Sequence, residues 1–121
     1  MKKLTDAQAH RAVNWFAAKM GLVDWSFEVK WGDPPEWVVA LDTPVEMLGK
    51  AYLFRNSKTA YIWLNTSGLR RAEEDPIATL FHECCHVLAC DLDIEDDGKG
   101  RFEYTWNRLS ELMLAAYRAK C

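Results

Sequence analysis

The alternation of apolar and polar positions divides the chain into a short series of elements. Thr5-Asp6-Ala7-Gln8 has the form of a capping box, and Val13, Phe16, Ala17 and Met20 follow it at helical spacing. With Gly21 suited to a C-terminal stop, the pattern predicts a first helix ending near Met20. Trp25, Phe27, Val29 and Trp31 then alternate with Ser26, Glu28 and Lys30, as expected of a strand with one buried face, until Gly32-Asp33-Pro34-Pro35 breaks it. Two further strands, about Gly49–Arg55 and Thr59–Asn65, flank Asn56-Ser57-Lys58 and read as an antiparallel hairpin. Ala60, Ile62 and Leu64 would share one face, and Tyr61, Trp63 and Asn65 the other. Trp37–Leu41 is a candidate for an additional short strand.

Asp75 and Pro76 suit the N-cap and first position of a second helix, which runs to about Asp91. The acidic stretch Asp93–Gly100 reads as a loop, and a last helix covers about Arg101–Lys120. The order predicts an α+β fold: an N-terminal helix, a small, mainly antiparallel sheet and two further helices. No repeat or long linker interrupts the 121 residues, so residues 1–121 are expected to form a single domain.

Composition narrows the function. Half the residues are hydrophobic, enough for a continuous core, and a formal net charge of −3 without a basic block argues against a nucleic-acid partner. Asp6, Gln8, His10, Arg11 and Asn14 interrupt any export-signal core after the two opening lysines, and no apolar run suits a membrane span. The cysteines, Cys84, Cys85, Cys90 and Cys121, are too clustered for a disulfide framework and point to reduced thiols in a cytoplasmic setting.

The chemistry concentrates in Phe81–Cys90, FHECCHVLAC. On a helix, His82 and His86 lie about 40° apart in projection and one turn apart along the axis, so both imidazoles can converge on one ion. Ile77, Leu80, Phe81, Cys84, Val87 and Leu88 fall on the other side and anchor it in a core. Two neutral imidazoles suit zinc, and Glu83 beside them can take a proton from the attacking water and pass it to a leaving amine, the HExxH arrangement. Cys84 points to the core, Cys85 to the opposite flank, and Cys90 is the one thiol aligned with the histidines, a further turn along.

Catalytic zinc keeps three protein ligands and an open position. His10, the remaining histidine, lies in the first helix, so the third ligand should be a carboxylate from the last helix, where Glu103 and Glu111 compete. Glu103 borders the stripe of Phe102, Trp106, Leu109 and Met113, whereas Glu111 points away from it, which favours Glu103. Asn107, a turn later, is placed to orient a ligand, and Tyr104 or Tyr117 are candidates to steady an oxyanion. The Asp93–Gly98 stretch superficially resembles a calcium loop, but Tyr104 stands where the bidentate glutamate belongs.

His82-Glu83-x-x-His86, followed by Glu103 in Phe102–Leu109, resembles the minigluzincins, very small zinc metallopeptidase-like proteins of phages and prophages within the zincin group. The Gly49-Lys50-Ala51 strand start and the strand before the motif helix extend the similarity over most of the chain. The resemblance implies a zincin-like metallopeptidase domain with zinc on His82, His86 and Glu103, Glu83 as general base, and an active-site cleft. It also implies an edge strand, here expected to be Thr59–Asn65 with Tyr61, Trp63 and Asn65, that pairs with an extended peptide or protein substrate. Cys84-Cys85 departs from the bulkier apolar pair usual between the histidines. The alternative is a zinc-stabilised, catalytically silent protein-binding module using the same residues.

Overall fold

A computed structural model describes residues 4–32, 47–94 and 101–120, with the backbone alone at Arg101. Helix α1, Asp6–Met20, opens on the expected capping box: Thr5 Oγ1 accepts from the Gln8 N–H, and the Gln8 side chain accepts from the Thr5 N–H. It stops at Gly21, whose φ of 73° is the left-handed conformation that glycine adopts without a Cβ penalty. Strands β1 (Ser26–Gly32), β2 (Gly49–Phe54) and β3 (Thr59–Asn65) follow. After them come helices α2 (Thr66–Ala72), α3 (Pro76–Asp91) and α4 (Arg101–Ala119). The proposed strand at Trp37–Leu41 and most of the acidic loop lie outside the described residues. No helix among the described residues is long and apolar enough to cross a membrane.

The fold is α+β, but the sheet is mixed and not mainly antiparallel. Its order is β1-β3-β2: β2 and β3 form the expected antiparallel hairpin, while β1 runs parallel to β3 in the register Val29↔Ile62. This overturns the edge position expected for Thr59–Asn65, since β3 is central and β2 is a border strand among the described residues. The residues proposed to meet a substrate strand are engaged elsewhere. Tyr61 packs edge-on against Phe54 on the outer face, and Trp63 is buried. Asn65 is fully buried as the N-cap of α2, accepting from the Gly68 N–H and donating to the Met47 carbonyl. That capping role also explains α2, which the sequence reading passed over.

Helix α3 is held along its length. Leu80, Phe81, Cys84 and Val87 are fully buried against α1 and the inner face of the sheet, where Ala60, Ile62 and Leu64 are equally buried. Each large side chain withdrawn in this way stabilises the fold by about 2 kcal/mol. At the N-terminus Asp75 caps the Ile77 N–H and pairs with Arg118 of α4. At the other end the Trp25 indole N–H donates to Asp91 at 2.9 Å. Beside it, β2 approaches closely at Gly49, where a Cβ would lie 3.1 Å from Thr79 Cγ2 and 3.1 Å from the Trp63 carbonyl oxygen. The edge of β2 that pairs with no strand among the described residues is thereby set against α3.

Candidate metal centre

Three elements converge on one groove. From α3, His82, Glu83 and His86 each offer a ligand atom, all within 4.8 Å of one another, a group that could hold a metal ion. From α4, Glu103 straddles the two imidazoles: one carboxylate oxygen is 3.2 Å from His82 Nε2 and the other 3.3 Å from His86 Nε2. Donor atoms about 2.0–2.1 Å from a tetrahedral ion lie about 3.3 Å from each other, close to the spacing of the Glu103 oxygens from the two imidazoles. From β2, Gly49, Lys50, Ala51 and Leu53 wall the opposite side.

Local sequence explains the placement. Glu103 precedes Trp106, Ser110 and Met113 at helical spacing, and those three are buried. Glu103 therefore rises from the border of the packed face of α4, where it is directed at the histidines while staying half exposed. Glu111 instead pairs with Arg108 at 3.4 Å and faces a neighbouring hollow. Asn107 lines that same hollow beside His82 and Glu83.

Glu83 occupies the most unusual environment. It is 8 % exposed, and burial is the largest influence on its carboxyl, raising its pKa from 4.5 to about 7. The Lys50 charge opposes this, Glu103 reinforces it, and a hydrogen bond donated by the Ala51 N–H favours the ionised form. The Ala51 bond follows from strand pairing. The Asn65 N–H donates to the Leu48 carbonyl at 2.9 Å, so alternation along the ladder turns the N–H and C=O of Gly49, Ala51 and Leu53 away from β3 and towards α3.

The raised pKa has a consequence for the metal-free protein. Below pH 4.5 Glu83 is protonated folded or unfolded and costs nothing; between 4.5 and 7 the unfolded chain gives up its proton while the folded chain keeps it, and above 7 both are ionised. Stability should fall across that window by about 3 kcal/mol on account of this one group, levelling off above it. Urea denaturation of the chelated protein against its Glu83→Gln variant, at intervals from pH 4 to 8, measures the difference. A wild-type-minus-variant difference that does not change with pH would remove the assignment.

None of the three described cysteines belongs to the His82, Glu83 and His86 group. Cys84 and Cys85 are fully buried, and burial drives the Cys85 thiol up to about 12 and the Cys84 thiol well above its ordinary value. Cys85 lies between α3 and α4, its thiol 3.8 Å from the Trp106 carbonyl it donates to, because α4 covers the flank that projection alone left open. Cys90 is half buried in an apolar hollow beside His86. The tyrosines proposed for an oxyanion also lie elsewhere. Tyr117 packs against Trp15 and Phe81 on the core side of α3, and Tyr104 is 75 % exposed. The cation that does line the groove, Lys50, was passed over because a lysine alternating along a strand looks like ordinary surface.

Comparison with models of known protein families, with curated proteins and with solved structures gives no match.

Proposed function

We propose that the protein is a zinc-dependent hydrolase of peptide bonds, of the minigluzincin kind, with His82, His86 and Glu103 as ligands and Glu83 as general base. The observation that carries the reading is the Glu103 carboxylate spanning both Nε2 atoms at 3.2 and 3.3 Å, with Glu83 poised beside them. Two imidazoles and a carboxylate with one flank open are the donor set of catalytic zinc, and the two thiols between the histidines, Cys84 and Cys85, are buried in the core. Zinc bound there would polarise a carbonyl and make water acidic enough to attack at neutral pH.

The chain's own groups supply the rest. Glu83 lies beside both imidazoles, where a carboxylate can accept a proton from water and return it to the departing amine, and the Ala51 N–H holds it in place. The outward-facing backbone of Gly49 and Leu53 offers an extended peptide the hydrogen bonds of an added strand, so β2 takes the role first assigned to β3. Lys50 brings positive charge to the side of the groove where the carbonyl oxygen becomes anionic.

The reading is tested by incubating the zinc-loaded protein with an unstructured polypeptide and detecting new amino termini. Cleavage should disappear with a chelator, return with zinc, and be absent from His82→Ala. Tight zinc binding with no cleavage of any polypeptide would favour the binding module instead.

A further inference from the structure

Two hollows adjoin the metal centre, one at each end of the β2 stretch that faces α3, and their chemistry is opposite. The hollow beside His86, about 240 Å³, is apolar: Leu53, Ala89 and Ile94 enclose it with the stacked rings of Phe102 and Trp106, whose centroids are 6.2 Å apart. The hollow beside His82, about 490 Å³, runs between α3 and α4 and shares Gly49, His82 and Glu83 with the metal centre. Its lining is rich in acceptors. Glu74 and Glu111 bring carboxylates, and Ser110, only 5 % exposed, gives its hydrogen to the Asn107 carbonyl at 2.9 Å, leaving its oxygen able only to accept. Among the described residues no lysine or arginine lines it; Arg108 meets Glu111 at 3.4 Å in an exposed pair, which water and salt weaken.

Gly49 borders the acceptor-rich hollow and Leu53 the apolar one, and as alternate residues of one strand they face the same way. A peptide extended along this edge therefore offers one hollow a side chain from each side of the bond over the metal. Resting on the hydrolase reading above, we propose that Glu74 and Glu111 make the hollow beside His82 the specificity pocket for a lysine or arginine side chain. A cationic side chain on an aliphatic stem matches both the carboxylates and the Leu48 and Ala78 walls, whereas the hollow beside His86 disfavours a charge.

The test uses zinc-loaded full-length protein and a set of peptide hydroxamates, which bind through the metal without turnover, differing only in whether the residue next to the chelating group is lysine, arginine, leucine or glutamate. Dissociation constants should favour lysine and arginine over glutamate by about tenfold, the worth of one or two partly exposed charge pairs. The Glu74→Gln/Glu111→Gln variant, altered at two exposed positions outside the catalytic machinery, should lose that preference while binding the leucine compound as before. Equal binding of all four, or a preference that survives in the double variant, overturns the pocket assignment alone. Failure of every hydroxamate to bind overturns the metal-centre reading and this assignment with it.

Discussion

Glu83→Gln is expected to lower kcat for peptide hydrolysis by about 10³-fold, the usual worth of a positioned general base, while zinc affinity changes by no more than a few-fold. The two effects separate because the glutamate is tied to the groove by a contact that the amide can keep. A glutamine oxygen can still accept from the Ala51 N–H, and it fills the same nearly closed space, so the ring positions of His82 and His86 are preserved. What glutamine cannot do is take a proton from water. A loss of about 10³ corresponds to about 4 kcal/mol of transition-state stabilisation, which steady-state kinetics on a fluorogenic peptide resolves easily. Zinc affinity is measured in parallel by competition with a chromophoric chelator. A variant that binds zinc and hydrolyses at the wild-type rate would remove Glu83 from the mechanism.

The parts of this arrangement legible in the sequence are those set by neighbours along the chain. Capping chemistry placed the starts of α1 and α3, because Thr5–Gln8 and Asp75-Pro76 satisfy local N–H groups whatever the tertiary fold does. Helical projection likewise brought His82 and His86 to one face and set Glu103 nearer to them than Glu111, and Glu103 does lie against both imidazoles while Glu111 pairs with Arg108. What failed depends on which strand lies beside which. A period-2 pattern reveals that β3 has a buried face but not that β1 pairs with it in parallel on its far side, which makes it central. With β3 in the middle, Trp63 and Asn65 became interior residues, and β2 took the border position beside α3. The same long-range packing buried Cys85 under α4 and Glu83 beside Ala51. Neither environment leaves a trace in the residues immediately around HECCH.

Metal removal should have the largest effect on stability. The Glu103 carboxylate is held 3.2 Å from one imidazole and 3.3 Å from the other by helices that pack against each other through apolar side chains. The folded chain therefore presents a formed site that the unfolded chain lacks, and binding energy is transferred to folding. At a free zinc concentration about 1,000 times the dissociation constant the gain is about 4 kcal/mol, which for a chain of this size raises Tm by roughly 15 °C. Calorimetry with and without chelator measures it. Glu103→Ala should lose most of the zinc-dependent shift, since two histidines alone hold zinc weakly, whereas Glu111→Ala, which alters an exposed pair with Arg108, should retain all of it. Equal shifts in the two variants would mean that Glu103 is only an ionic neighbour of the imidazoles. Among the described residues Glu83 would then be the remaining carboxylate grouped with the two imidazoles, and its assignment as general base would fall with that of Glu103 as ligand.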